Sequence, residues 1–153
     1  MLWHERAVDR IWHYLLGTKN KGIVFAPNSS KGLECYDNAD FAGGWSKEDV
    51  TNPDNVLSRT GCVVFYSGCP MMWASQIQTA ISLSTAESEY VACSRAMQDV
   101  LSLIQLMREI DKIFTVNLTK AVIHCNVYEN NKSCIAMANN RKLSPRTKHI
   151  PPL

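Results

Sequence analysis

The sequence lacks the long apolar runs that membrane proteins contain. No stretch of its 153 residues approaches the roughly 18 consecutive apolar residues that a membrane-spanning helix requires. Its opening residues, MLWHER, carry charge where a secretory signal peptide needs an apolar segment. We therefore expect an intracellular protein, cytoplasmic or nuclear, with no membrane partner.

A large excess of one charge is also absent. The chain has 16 lysines and arginines against 14 aspartates and glutamates, which gives a formal net charge of +2. This balance does not by itself indicate a nucleic-acid-binding protein, although a local basic patch would suffice for binding. With 46% hydrophobic and 20% charged residues, the composition is typical of one globular domain and excludes a disordered chain.

Several signatures of ligand-binding proteins are missing. None of the six cysteines forms a C-x-x-C pair and the four histidines are scattered, which argues against a zinc site. The sequence contains no G-x-S-x-G nucleophile motif, no phosphate-binding G-x-x-x-x-G-K and no dinucleotide-binding G-x-G-x-x-G. We expect no small-molecule substrate. We expect Cys35, Cys62, Cys93 and Cys125 to be small buried apolar side chains.

Hydrophobic periodicity and turn residues predict a mixed α/β protein. Segments with helical spacing of apolar residues flank short strand-like runs, the pattern of a mixed sheet with helices. Gly17 is expected to end the first helix, and residues 67–70 are expected to join two strands as a hairpin. The predicted elements are a helix over 4–16, a possible strand over 22–25, strands over 33–38, 61–66 and from 71, a helix from 85 to about 113, a strand over 121–128 and a short helix through 135–138.

The start of the long helix contains two glutamates with different roles. Ser84 and Glu87 form a capping box, and capping fully explains Glu87. Glu89 instead falls on the apolar stripe that continues through Cys93 and Ala96. Because an unpaired ionised acid facing a core costs about 3–5 kcal/mol, Glu89 is either structurally paired or part of a functional site.

Polar residues cluster at the ends of two predicted strands. One strand ends in DNAD, residues 37–40, and the later strand ends in ENN, residues 129–131. Such clusters are common ligand positions in α/β sheets. They are also ordinary turn and capping residues, and Asn130 or Asn131 alone could cap the short helix that follows. The residues alone leave both interpretations open.

The chain resembles the ribonuclease H region of copia-type retrotransposon Pol polyproteins in segments spread over nearly its whole length. These polyproteins also contain reverse transcriptase. The most specific is an S-T-A-E-x-E-Y motif that follows a W-x-S-x-x-Q segment. The matching segments are RIWHYLLGTKNKG (10–22), ADFAGGW (39–45), LSRTGCVVF (57–65), LSTAESEYVA (83–92), SCIAMANN (133–140) and PRTKHI (145–150).

The resemblance implies an α/β fold of the ribonuclease H-like type, a mixed sheet with flanking helices. In this family, acidic residues hold two magnesium ions that hydrolyse the RNA strand of an RNA–DNA hybrid. The helix glutamate of the family falls on Glu89, but its first-strand and fourth-strand aspartates fall on Asn38 and Asn130. Asp40 matches a second acid of the first-strand motif. Glu89 is thus the one expected metal ligand that keeps a charge, and stable magnesium binding is not expected.

The resemblance also implies a domain organisation. Residues 1–31 match the end of a reverse transcriptase connection region and a linker, and residues 32–153 a C-terminally truncated ribonuclease H-like domain without its last strand and helix. We therefore expect a retrotransposon-derived nuclease domain that is catalytically inactive. The alternatives are a non-catalytic nucleic-acid-binding module and an unselected retroelement remnant.

The resemblance also suggests partners, namely an RNA–DNA hybrid and the rest of a retroelement polyprotein. Phosphate contacts of basic and amide side chains would carry binding to a hybrid, which proteins recognise by shape more than by sequence. The candidate nucleic-acid contacts are Gln76, Gln78, Arg146 and Lys148.

Overall fold

A computed structural model describes residues 2–47, 51–114 and 124–140. The expected nucleic-acid contacts Arg146 and Lys148 lie outside these residues, as do positions 121–123 of the predicted later strand. Within the described ranges, no helix combines the length and the apolar character that crossing a membrane requires.

The described residues form three α-helices and a four-stranded sheet. The helices are α1 (Leu2–Thr18), α2 (Thr85–Phe114) and α3 (Lys132–Asn139), and a short 3-10 helix spans Pro53–Val56. The strands are β1 (Leu33–Asp40), β2 (Arg59–Tyr66), β3 (Cys69–Ile77) and β4 (Cys125–Tyr128). The prediction of a mixed α/β protein is confirmed.

The strands lie in the order β3-β2-β1-β4. β2 pairs antiparallel with both β1 and β3, whereas β4 pairs parallel with β1. A parallel neighbour requires a crossover connection, and α2 lies in the connection between β3 and β4. The carboxyl ends of β1 and β4 therefore meet at one edge of the sheet, which brings together the two polar clusters predicted there.

Alternation along β1 decides which of its side chains reach the core. Leu33, Cys35, Asp37 and Ala39 are buried, and the residues after each of them are more exposed. α2 packs over β1 and β2 and contributes an apolar stripe in which Val100 is fully buried. Burying a side chain of this size stabilises the fold by about 1.5–3 kcal/mol. The core thus lies between α2 and one face of the sheet.

Two predicted features are wrong. α1 continues through Gly17 to Thr18, whose hydroxyl donates to the carbonyl of Tyr14 at 2.7 Å and helps to close the last turn. Residues 22–25 form no strand, and their apolar side chains are exposed. An apolar run becomes a strand only where a neighbouring strand can bond its backbone, and residues 22–25 have no such neighbour among the described strands.

The turn between β2 and β3 is tighter than predicted. It consists of Ser67 and Gly68 alone, with φ angles of 52° and 75°. β3 therefore begins at Cys69 rather than at position 71. Such a two-residue loop matches the twist of paired strands, and glycine accepts the left-handed conformation at little cost.

Gly43 lies directly against the carboxylate of Asp40, just after β1. A Cβ atom at position 43 would overlap the carboxyl group of Asp40. We expect Gly43→Ala to push the exposed Asp40 side chain into another rotamer and to lower the free energy of unfolding by at most about 1 kcal/mol. Chemical denaturation measures this loss, which should largely vanish in an Asp40→Ala background. An equal loss in both backgrounds would mean that another contact restricts Gly43.

Candidate functional site

Glu89 lies near the beginning of α2, where the predicted capping box forms. Ser84 Oγ accepts a hydrogen bond from the Glu87 amide at 3.2 Å, and Glu87 Oε2 accepts one from the Leu83 amide at 2.8 Å. Glu89 points inward and is 7% exposed, which confirms its predicted orientation. Its Oε2 accepts a hydrogen bond from the backbone N–H of Ala39 at 2.5 Å. Glu89 therefore ties the first part of α2 to the end of β1.

Asp37, rather than Asn38, is the β1 residue that shares the buried face with Glu89. Asp37 is 7% exposed, whereas Asn38 lies on the opposite face and is exposed. Neither carboxylate oxygen of Asp37 makes a hydrogen bond to a described residue. Burial, and after it the charge of Glu129, raise the pKa of the Asp37 carboxyl from 3.8 to about 6. The charge of Glu89 acts in the same direction.

The end of β4 supplies another acid and a helix cap. Glu129 is half-buried; its Oε1 accepts a hydrogen bond from the Asn131 amide at 2.6 Å, and its Oε2 is buried without a partner among the described residues. Asn131 Oδ1 accepts hydrogen bonds from the amides of Ser133 at 2.9 Å and Cys134 at 3.1 Å. Asn131 is therefore the N-cap of α3. Asn130 does not cap the helix, and its side chain is exposed.

The two strand ends open into a shared pocket of about 490 Å³ at the carboxyl edge of the sheet. The pocket brings together Asn38 and Asn130, the positions matched to family aspartates, with the acids Asp37 and Glu129. Glu89 does not line it and instead contacts the end of β1 from the core side. The lining residues are Tyr36, Asp37, Asn38, Val127, Tyr128, Glu129, Asn130 and Ile135.

The residues of this site do not fit the pair of magnesium ions that the resemblance implies. Magnesium is bound through oxygen ligands, usually carboxylates, and Asn38 and Asn130 offer only neutral amides. Glu89 already uses one carboxylate oxygen to bind a backbone N–H. Over the part of the chain that the structure describes, no three Asp, Glu, His or Cys side chains are placed to hold a metal ion. We therefore assign no metal-dependent step to these residues.

Gln78, a predicted nucleic-acid contact, is instead a buried structural residue. It is 6% exposed, and its Nε2 donates hydrogen bonds to Thr60 Oγ1 at 3.0 Å and to the Ser88 carbonyl at 2.9 Å. Its Oε1 accepts a hydrogen bond from Ser82 Oγ at 3.2 Å. Since both amide hydrogens are used, Gln78 holds the connection between β3 and α2 and has no free donor for a ligand.

Two other predicted site residues are exposed. Asp40 ends β1 and lies against Gly43, outside the pocket. Gln76 lies near the end of β3, opposite Thr60 of β2, and can reach a partner in solution.

A row of four side chains, three of them aromatic, crosses the outer face of the sheet and was not predicted from the sequence. Trp73, Val63, Tyr36 and Tyr128 occupy matching register positions on the four strands. The rings of Tyr36 and Tyr128 stack with centroids 4.6 Å apart and planes 12° apart, and Trp73 is 67% exposed. The available signal was the alternation along β1, which places Tyr36 on the face opposite Asp37.

The chain is similar to Pol polyproteins of retrotransposons. It is 31% identical over 147 residues to the retrovirus-related Pol polyprotein from transposon TNT 1-94 of Nicotiana tabacum, a match that covers 96% of this chain and 10% of the polyprotein. It is 28% identical over 148 residues to the corresponding polyprotein from transposon RE1 of Arabidopsis thaliana, covering 96% of this chain and 9% of the polyprotein. The chain thus spans about a tenth of the length of these relatives.

A further relative is much shorter. The chain is 32% identical over 98 residues to secreted RxLR effector protein 161 of Plasmopara viticola, a match that covers 64% of this chain and 63% of that protein. No family model matches the chain. No solved structure matches it significantly. The relatives that match over 96% of the chain are thus Pol polyproteins of retrotransposons.

Proposed function

We propose that the chain is a retroelement-derived ribonuclease H-like domain that has lost its ancestral nuclease activity. The ancestral reaction is the magnesium-dependent hydrolysis of RNA in RNA–DNA hybrids during reverse transcription. Similarity to retrotransposon Pol polyproteins over 96% of the chain supports this origin. The mixed sheet, with β4 parallel to β1 and α2 in the connection, is consistent with a ribonuclease H-like fold.

The proposal depends mainly on one observation: the two pocket residues that match aspartates of the family motif are neutral. Asn38 and Asn130 come together at the carboxyl edge of the sheet, where the motif has two aspartates. An amide keeps the shape and one oxygen of the carboxyl group but loses its negative charge. Two-metal hydrolysis depends on anionic ligands that fix both cations beside the scissile phosphate. With both charges missing, the fold can persist while the reaction fails.

The experiment is cleavage of an RNA–DNA hybrid, labelled on its RNA strand, in magnesium. We expect no cleavage by the unmodified chain above the rate without protein. We expect cleavage to appear in the Asn38→Asp/Asn130→Asp double variant, because it restores both carboxylates of the motif. Adding Glu89→Gln to the double variant should abolish the gained activity, since the third expected ligand then loses its charge.

The outcomes of this experiment separate the parts of the proposal. Cleavage by the unmodified chain that disappears in Glu89→Gln would overturn the loss of activity. A double variant that folds, as circular dichroism reports, and binds the hybrid without cutting it would overturn the match of positions 38 and 130 to the family aspartates. Binding of the hybrid by the unmodified chain, weakening steeply with salt, would favour the alternative of a non-catalytic binding module.

A further inference from the structure

The buried contact between α2 and α3 is built around two free cysteines. Cys93 is 7% exposed and Cys134 is 1% exposed. Both belong to one apolar cluster with Tyr90, and Met97 and Met137 pack against it. The two thiols pack in the same buried cluster, and the neighbouring Cys93 thiol, and after it burial, raise the pKa of the Cys134 thiol. While α3 is docked, Cys134 is thus protonated and shielded from solvent.

We propose that Cys93 and Cys134 form a redox-modification site, which a hydroperoxide closes to a disulfide when α3 opens. The bond joins the N-terminal third of α2 to the first turn of α3. α3 directly follows Glu129 and Asn130 in the chain, and Ile135 of α3 lines the same pocket. The disulfide therefore holds α3, which forms one wall of the pocket, against α2. This effect does not depend on whether the pocket retains any nuclease activity.

The chemistry balances with hydrogen peroxide as the oxidant. The Cys134 thiol and one peroxide molecule give a sulfenic acid and one water. When α3 docks again, the sulfur of Cys93 attacks the sulfenic sulfur, which forms the S–S bond and releases a second water. Two thiols are oxidised to one disulfide, and one peroxide is reduced to two waters.

α3 is the element best suited to open and admit the oxidant. Its eight residues are too few for a helix that is stable in isolation, and Cys134 is its one buried residue. Its docking therefore depends on the cysteine cluster and on the Asn131 cap. Local opening of such a helix exposes Cys134 without global unfolding. Cys35 and Cys62 lie instead in the interior strands β1 and β2, which are paired on both edges.

The test is oxidation of the full chain with hydrogen peroxide, followed by denaturation, alkylation and mass spectrometry. We expect the number of alkylated thiols to fall from six to four. The tryptic peptide of residues 133–141, which contains Cys134, should be linked to the peptide of residues 60–95, and fragmentation should place the bond on Cys93 rather than on Cys62 or Cys69 of the same peptide. Neither Cys93→Ala nor Cys134→Ala should form this disulfide. If either alanine variant fails to fold by circular dichroism, the corresponding serine variant replaces it.

A rate measurement tests the opening step separately. Asn131→Ala removes the N-cap of α3. Disulfide formation should become roughly fivefold faster, because loss of an N-cap shifts the equilibrium between the docked and the open helix by about that factor. Asn126→Ala, an exposed asparagine on β4 with no capping role, is the matched control and should leave the rate unchanged. Six alkylated thiols after treatment that fully oxidises glutathione, a different cysteine pair, or equal rates in both variants would each overturn the proposal.

Discussion

Replacing Asp37 by asparagine is expected to raise the free energy of unfolding at pH 7.5 by up to about 3 kcal/mol. Asp37 is buried, and neither of its oxygens has a hydrogen-bond partner among the described residues. Its pKa rises from 3.8 to about 6 through burial and the charge of Glu129. That difference corresponds to about 3 kcal/mol, which the folded chain loses when Asp37 ionises. Asparagine keeps the shape of the side chain and removes the charge.

The same residue predicts how stability depends on pH. The unfolded chain releases the Asp37 proton near pH 3.8, whereas the folded chain holds it to about pH 6. The contribution of this group to stability is therefore fully present below pH 3.8 and is lost as pH rises through about 6. Asp37→Asn should flatten this part of the stability profile.

Urea denaturation of both chains between pH 4 and pH 8 measures the effect. Asp40→Asn is the matched control, because Asp40 lies on the same strand but is exposed. The control should leave the free energy of unfolding at pH 7.5 nearly unchanged. A loss of stability in Asp37→Asn at pH 7.5 would mean that a group outside the described residues, or a bound cation, satisfies the Asp37 carboxylate.

Local rules predicted most of the fold. The capping box placed the start of α2 correctly, because the Ser84 and Glu87 bonds need only residues close in sequence. The strand-like runs of β1 and β2 between turn residues are also local, and they predicted both strands, each two residues short at one end. Residues 22–25 failed because strand formation depends on a neighbouring strand, which an apolar run does not encode by itself.

The site was less predictable, because the face of a side chain at a strand end depends on register. The helical stripe correctly predicted that Glu89 faces inward. The sequence drew attention to Asn38 through the family motif, but the burial pattern of β1 turns its neighbour Asp37 inward. A shift of one residue exchanges the two faces of a strand, and motif matching does not detect this. Glu129, whose charge raises the pKa of Asp37, lies 92 positions away in the sequence and becomes its neighbour only through the parallel pairing of β4 with β1.

Gln78→Ala is expected to lower the free energy of unfolding by about 3 kcal/mol. The buried amide of Gln78 bonds Thr60 on β2 and the carbonyl of Ser88 on α2, and it accepts from Ser82. Alanine leaves these buried groups without partners, and each such group costs about 1–3 kcal/mol.

Gln76→Ala provides the matched control for Gln78→Ala, because Gln76 lies two residues earlier and is exposed. Chemical denaturation should give a change within about 0.5 kcal/mol for Gln76→Ala. Equal effects of the two substitutions would contradict a structural role for Gln78. A large loss at position 78 alone means that the glutamine of the W-x-S-x-x-Q segment fixes α2, and with it Glu89, against the sheet. In that case the segment can persist in a chain that has no catalytic activity, because the fold itself depends on Gln78.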